Sequence, residues 1–205
     1  KLPKNITIVA VSKTKPNEII LEAKSKGHLD FGENKVQELV YKYNSLPKDI
    51  RWHMIGHLQR NKVKYIAPFV HLIHSVDSIK LINEINKQGL KNKRKINCLL
   101  QFHIADEENK FGFSIDELRE ILYQNRHYSW TNISIKGIMG MATFTKNKRK
   151  VQQEFNTLKI YYDEIKKKFS KDFNTISMGM SGDYLEAIKA GSNMIRIGSI
   201  IFGSR

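Results

Sequence analysis

Residues 6–32 read ITIVAVSKTKPNEIILEAKSKGHLDFG, and the change of hydrophobic pattern within this stretch indicates the fold. Ile6–Ser12 is a nearly continuous apolar run, which is typical of a parallel strand buried on both faces. An amphipathic helix is predicted between Pro16, a residue favoured near a helix start, and Gly27, which ends it. A second short strand is predicted at His28–Gly32. The stretch is therefore expected to form two parallel strands joined by a crossover helix.

The same alternation of strands and helices continues to the end of the chain. Six further strands are predicted at RWHMIG (51–56), VHLIHSV (70–76), KINCLLQFHI (95–104), ISIKGIMGMA (133–142), NTISMGM (174–180) and MIRIGSIIFG (194–203). Eight strands that alternate with helices, without an internal linker, favour a (β/α)8 barrel over an open doubly wound sheet, which is the alternative. We therefore expect an α/β protein with one TIM-barrel domain over residues 1–205.

The last predicted strand has a consequence for the outer ring of helices. If it runs to Gly203, the chain encodes only seven crossover helices. One place in the ring is then empty, and a helix upstream of Lys1 would fill it. We expect the amino-terminal helix of the barrel to be missing from this chain.

Composition limits the class of protein. Of 205 residues, 40% are hydrophobic, 35 are basic and 20 are acidic, as in a globular chain. No window approaches 18 uncharged apolar residues, so no transmembrane helix and no membrane partner are expected. The single cysteine, Cys98, cannot form an intrachain disulfide, and no secretory signal opens the sequence. These features favour a cytoplasmic protein.

The formal net charge of +15 raises the question of nucleic acid as a partner. Three basic runs stand out: Lys91–Lys95, Lys146–Lys150 and Lys166–Lys168. The first and third precede predicted strands and the second follows one, so they are expected at opposite ends of the barrel. Aromatic residues do not alternate with these runs, as stacking on single strands would require. We expect no nucleic-acid partner.

The carboxyl ends of the strands are where a barrel carries its functional residues, and they are polar in this sequence. Lys13 follows the apolar first strand, where partial desolvation favours the neutral, nucleophilic amine. Such an amine can condense with an aldehyde. Lys15 is an alternative, but it adjoins Pro16 and is expected to point outward. Glycine-rich turns follow strands seven and eight and are suited to a phosphate, with donors at Ser181, Ser199 and Arg196.

Five motifs resemble one known family. They are VSKTKP (11–16), FGENKVQE (31–38), WHMIGHLQRNK (52–62), SMGMSGDYLEAI (177–188) and RIGSIIFG (196–203). In this order they resemble the YggS/PROSC family of pyridoxal phosphate homeostasis proteins. The resemblance implies a barrel like the amino-terminal domain of alanine racemase, with pyridoxal 5′-phosphate (PLP) as cofactor. It further implies that Lys13 forms the Schiff base, that Asn34 faces the cofactor, and that the ring and phosphate are surrounded by Ser181, Arg196, Gly198 and Ser199.

Other polar residues near the strand ends receive weaker assignments. His57 replaces a residue that is commonly proline in the third motif, and it is given no cofactor role. His53 is expected to be packed or to lie beside the ring. Glu33 and Glu38 could form a carboxylate pair, but their spacing better suits a loop residue and a helix-surface residue. No metal site is predicted.

Three function classes compete: a PLP carrier, a PLP enzyme such as an amino-acid racemase, and an RNA-binding protein. Racemisation in this type of barrel needs a second base on the opposite face of the ring, which the resemblance places in a further domain. No such domain follows the barrel in this sequence. We therefore expect PLP homeostasis or delivery with little or no turnover and no catalytic residue. PLP-dependent apoenzymes are the expected recipients, and a monomer is expected.

Overall fold

The computed structural model describes residues 2–3, 5–105, 111–124 and 129–203. In these residues eight parallel strands form a closed barrel in chain order, and the last strand pairs with the first. The strands are β1 Thr7–Val11, β2 Asp30–Glu33, β3 Arg51–Met54, β4 Leu72–Val76, β5 Ile96–Phe102, β6 Ile133–Gly140, β7 Thr175–Met180 and β8 Met194–Ile197. The predicted single-domain TIM barrel is confirmed, and the open sheet is excluded.

Helices follow the strands around the barrel. Within the described ranges they are α1 Asn17–Ser25, α2 Val36–Ser45, α3 Val63–Ile66, α4 Ile79–Lys91, α5 Ile115–Tyr123, α6 Lys148–Ile165, α7 Tyr184–Lys189 and α8 Ser199–Phe202. Short 3-10 turns precede α3 and follow α6, at Arg60–Lys62 and Lys166–Lys168. A capping box begins α5, because the Ser114 hydroxyl accepts from the Glu117 N–H and the Glu117 carboxylate accepts from the Ser114 N–H.

The hydrophobic core has two parts, because successive strand residues face opposite sides of the barrel wall. The outward residues pack under the helices and include Ala10, Phe31, Trp52, Cys98 and Ile138, all buried. A smaller cluster of Leu72, Leu99 and Met139, with Met194 packed against it, comes from alternate positions and lies inside the barrel. The remaining inward positions carry polar side chains, and these define the candidate site.

The predicted extent of strand eight is wrong. Pairing of β8 with β1 ends at Ile197, opposite Ala10. The carbonyl of Gly198 then accepts from the N–H groups of Ile201 and Phe202, which closes the helical turn of α8. A short helix, α8, therefore follows β8, while the seven predicted crossover helices, α1–α7, are confirmed between the strands.

Within the described residues, no helix combines the length and the apolar character needed to cross a membrane. Cys98 is a free thiol in the buried core, where burial raises its pKa.

Candidate functional site

A tight turn leaves β1 and carries Lys13. Thr14 has a φ of 65°, in the left-handed region that β-branched residues rarely adopt. Its N–H donates to Glu38 Oε1 at 2.6 Å, and the Lys15 N–H donates to the Ser12 carbonyl at 3.0 Å. These two bonds hold a strained backbone immediately after the half-buried Lys13. Strain retained at such a position is typical of functional sites.

The side chains of Lys13 and Lys15 have different neighbours in the structure. The Lys15 ammonium donates to the carbonyl of Phe202 in α8, at 2.9 Å, and so lies against the outer helices. Lys13 lies half-buried in the turn that follows β1. Within the described part of the chain, the Lys13 ammonium makes no hydrogen bond or ion pair. That Lys13 is the reactive amine of this turn stays a prediction.

A buried cation supports the turn from outside the barrel. Lys42 of α2 donates to the Ser12 carbonyl at 2.8 Å, to Glu33 Oε1 at 2.8 Å and to Glu38 Oε1 at 2.7 Å. The Ser12 hydroxyl donates to the same Glu33 oxygen at 2.6 Å. The expectation of a loop Glu33 is wrong, because Glu33 ends β2 fully buried, whereas Glu38 lies partly exposed on α2 as expected. Lys42 joins the two carboxylates. The i, i+4 spacing of Glu38 and Lys42 was the available signal.

Asn34 directly follows β2 and is half-buried. Its backbone is held by close packing against Gly56, where a Cβ would lie 2.3 Å from the Asn34 carbonyl oxygen. The strand parity of Asn34 is that of Gly32, whose own Cβ position lies 2.9 Å from Val9 inside the barrel. Asn34 and Lys13 follow two neighbouring strands, and that Asn34 faces a cofactor stays a prediction.

Arg196 is buried in the barrel, with 3% of its surface exposed. Its Nη1 donates to the carbonyl and the hydroxyl of Ser177, at 2.9 and 2.8 Å, and its Nη2 donates to the Gly140 carbonyl at 3.2 Å. Three of the five guanidinium N–H groups are thus engaged, and the Nε–H has no hydrogen-bond partner among the described residues. Desolvation lowers the pKa of Arg196 to about 10, with Asp183 opposing it, so the group is charged at neutral pH.

This buried charge has no ion-pair partner within the described ranges. The structure places no carboxylate oxygen there within 4.0 Å of the Arg196 guanidinium. A buried charge of this kind is costly unless an anion or another acceptor completes it. The arrangement is therefore suited to a ligand with acceptor atoms inside the barrel.

The turns after β7 and β8 contact each other. The Gly198 N–H donates to the Ser181 hydroxyl at 3.3 Å, and Ser199 begins α8 at the surface. The N–H groups of Ser199 and Ile200 belong to the first turn of α8, which leaves such donors without intrahelical partners. Asp183, which sequence reasoning missed, also lies in this region, and burial raises the pKa of its carboxyl group.

The six predicted site residues therefore fall into three groups. Lys13 and Asn34 follow the ends of β1 and β2, whereas Ser181, Gly198 and Ser199 lie in the turns after β7 and β8. The Arg196 guanidinium lies with Ser177 and Gly140, and within the described chain it makes no hydrogen bond to Ser181 or Ser199. That one ligand contacts all six residues stays a prediction.

The structure shows the surroundings of two histidines, His57 and His53, to which no firm role was assigned from the sequence. His57 stacks on Phe111, with ring centroids 3.8 Å apart, and its Nδ1 lies 3.1 Å from Asp77. His53 is packed inside the barrel with 1% of its surface exposed. The packed placement of His53 agrees with the prediction.

Comparison with known proteins gives full-length matches. The family model for the alanine racemase N-terminal domain matches residues 1–205. A pyridoxal phosphate homeostasis protein of Aquifex aeolicus is 36% identical over 199 residues, which are 97% of this chain and 86% of that protein. One from Helicobacter pylori is 38% identical over 199 residues, covering 96% of this chain and 87% of that protein.

Solved structures agree with these matches. PipY of Synechococcus elongatus, solved with PLP bound, is similar with a TM-score of 0.90 and 31% identity, over 99% of this chain and 95% of that chain. Alanine racemase of Clostridium difficile has a TM-score of 0.82 at 16% identity, over 100% of this chain and 57% of that chain, which shows a shared fold. The chain belongs to the alanine racemase N-terminal domain family and, within it, to the pyridoxal phosphate homeostasis proteins.

Proposed function

We propose that this protein binds PLP as a Schiff base on Lys13 and acts in PLP homeostasis or delivery with little or no turnover. The observation that carries the proposal is the buried Arg196, a charge without a carboxylate partner in the described chain, inside a barrel whose first two strands are followed by Lys13 and Asn34. PLP offers an aldehyde, a phosphate and a ring nitrogen. Its aldehyde matches a free amine, and its acceptor atoms match unpaired donors.

The residues present fit this cofactor. The Lys13 amine would hold the aldehyde carbon. The hydrogen bond from the Thr14 N–H to Glu38 would fix the turn and so orient the amine. The hydroxyls of Ser181 and Ser199, with the first N–H groups of α8, would bind the phosphate. Arg196 supplies positive charge and an unpaired Nε–H to the acceptor atoms inside the barrel. When bound, PLP supplies an electron sink for carbanion chemistry.

Low turnover is supported by what the interior side chains already do. A racemase needs a base free to accept a proton on each face of the ring. His53 and His74 lie inside the barrel, but both are buried and their ring nitrogens are engaged in hydrogen bonds. The relatives named as homeostasis proteins agree with this interpretation. We propose delivery of PLP to apoenzymes by a cytoplasmic monomer.

The Schiff base is tested by titrating the protein with PLP and recording the visible absorption band. We expect the band in the wild type and in Lys15→Arg, the matched control, and its loss in Lys13→Arg. A full band in Lys13→Arg would contradict the assignment.

Low turnover is tested by incubating the PLP-loaded protein with L- or D-alanine in deuterium oxide. We expect slow or undetectable deuteration at the α-carbon, without inversion. Rapid deuteration with inversion would show a racemase instead.

A further inference from the structure

A row of hydrogen bonds crosses the barrel interior beneath the candidate site. Asp30 Oδ1 lies 3.1 Å from His53 Nε2, and His53 Nδ1 lies 2.9 Å from His74 Nε2. His74 Nδ1 lies 3.0 Å from the Ser177 hydroxyl, which accepts from Arg196 Nη1 at 2.8 Å. These five residues, the interior chain, come from β2, β3, β4, β7 and β8 and are all buried.

Asp30 is the end of the interior chain that can only accept. Burial alone would raise the pKa of Asp30, but hydrogen bonds from His53 and Arg51 lower it to about 2. Arg51 donates through Nε to Oδ1 at 2.8 Å and through Nη2 to Oδ2 at 2.5 Å. The carboxylate is therefore ionised at neutral pH and has no proton to give.

The two histidines carry one proton each. Burial lowers the pKa of His53 and of His74 below the usual range, so both rings are neutral at pH 7. Facing Asp30, His53 must place its N–H on Nε2, which leaves Nδ1 as an acceptor. His74 must then donate through its own Nε2–H, and its Nδ1 accepts from the Ser177 hydroxyl.

Every bond of the interior chain thus points the same way, from Arg196 to Asp30. Bonds that run head to tail polarise and strengthen one another. The direction also matters at Ser177. Because its hydroxyl proton is given to His74, the lone pairs of its oxygen remain available to Arg196.

We infer that Asp30 acts through the interior chain as a positioning residue for Arg196. It sets one direction for all the bonds and so fixes the acceptor that holds the guanidinium. If the direction reversed, His74 would donate to the Ser177 oxygen, both lone pairs of that oxygen would be used by His74 and Arg196, and the hydroxyl proton would have to turn away from His74. The effect of Arg196 on the cofactor rests on the proposed function, whereas the hydrogen bonds of the interior chain are independent of any ligand.

The direction is tested by nitrogen-15 NMR of the histidine rings in the cofactor-free protein. We expect both His53 and His74 as the Nε2–H tautomer in the wild type. In Asp30→Leu, an apolar near-isostere, no acceptor fixes the direction, and the Nδ1–H form should appear in both rings to the same extent. Single Nδ1–H tautomers in the wild type would overturn the inference, as would an unchanged His74 in Asp30→Leu.

Two further variants test the direction of the bonds even if Asp30→Leu fails to fold. Arg51→Gln, the matched control, removes a neighbour of Asp30 but leaves its carboxylate, so both tautomers should stay Nε2–H. Ser177→Ala removes the hydroxyl group next to Arg196 from the interior chain. Both histidine tautomers should again be unchanged, because Asp30 sets them. A tautomer switch in Ser177→Ala would show that the direction is set at the Arg196 end and would contradict the inference.

The positioning role is tested separately by PLP affinity. Loss of one well-oriented hydrogen bond corresponds to about a two- to tenfold weaker dissociation constant, and this is expected for Asp30→Leu and Ser177→Ala. Arg51→Gln should bind PLP like the wild type. If the tautomers respond as expected but PLP affinity does not change, Asp30 does not position Arg196 for the cofactor, and the positioning inference is overturned while the direction of the interior chain stands.

Discussion

Glu33 is a buried carboxylic acid whose Oε2 has no hydrogen-bond partner among the described residues. Burial raises its pKa from 4.5 to about 7, against the hydrogen bonds from Lys42 and Ser12 that lower it. Between these values the folded protein binds more protons at Glu33 than the unfolded chain does, so stability falls as pH rises. Relative to Glu33→Gln, the wild type should lose on the order of 2–3 kcal/mol of unfolding free energy across this range.

Urea denaturation of both proteins at several pH values between 4.5 and 7.5 measures this difference. Other titrating groups cancel in the comparison, since the two chains share them. A difference that is constant with pH, or that grows in favour of the wild type as pH rises, would contradict the pKa shift of Glu33.

Residue-scale chemistry was partly predictable. Lys13 was singled out because it follows an apolar strand, whereas Asn34 was assigned only through the family resemblance, and the structure places both after neighbouring strands. The interior chain was not predicted, because it joins His74 to Ser177, residues 103 apart in sequence. Only closure of the barrel brings such residues together. Lys42 was missed for a related reason, since a lysine on a helix is usually exposed.

At the scale of elements, the backbone of Gly56, after β3, packs closely against the backbone of Asn34, after β2. A methyl group there would lie 2.3 Å from the Asn34 carbonyl oxygen, which is backbone and cannot rotate away. We expect Gly56→Ala to cost about 1–3 kcal/mol of stability and to weaken PLP binding by moving Asn34. Gly182→Ala is the control for stability, because no atom lies within 4 Å of its added Cβ.

Thermal denaturation of the two alanine variants, with PLP titration of each, checks this prediction. Equal stability of Gly56→Ala and Gly182→Ala would show that the loop after β3 relaxes freely. The site would then not depend on this contact.

Element boundaries show where sequence patterns reach their limit. The apolar run at residues 194–203 favours a strand throughout, yet β8 ends at Ile197 and α8 begins two residues later. A short apolar run does not distinguish strand from helix, and register with β1 decides the point. The capping box of α5 was predictable because it needs only Ser114 and Glu117, three residues apart.

For the whole molecule, the net charge of +15 is spread over both ends of the barrel. Lys91–Lys95 and Lys166–Lys168 precede β5 and β7, whereas Lys146–Lys150 follows β6, as the sequence predicted. We expect only weak, sequence-independent binding to DNA or RNA that falls steeply between about 50 and 200 mM salt. Sequence-selective binding that persists at physiological salt, measured by fluorescence anisotropy, would contradict this expectation.

The architecture itself followed from counting alternating elements. Parallel strands joined by helices can close into a barrel when there are eight, and closure in chain order needs no further information. What the count does not contain is the chemistry of the interior, which depends on side chains from strands far apart in sequence.

The central claim is that Lys13 holds PLP, and one measurement tests it most directly. The PLP-loaded protein is reduced with borohydride, which fixes a Schiff base as a stable secondary amine, and its peptides are mapped by mass spectrometry. The account predicts the pyridoxyl group on Lys13 in the wild type and in Lys15→Arg. A pyridoxyl group found reproducibly on Lys15 or another lysine, with Lys13 unmodified, would contradict it.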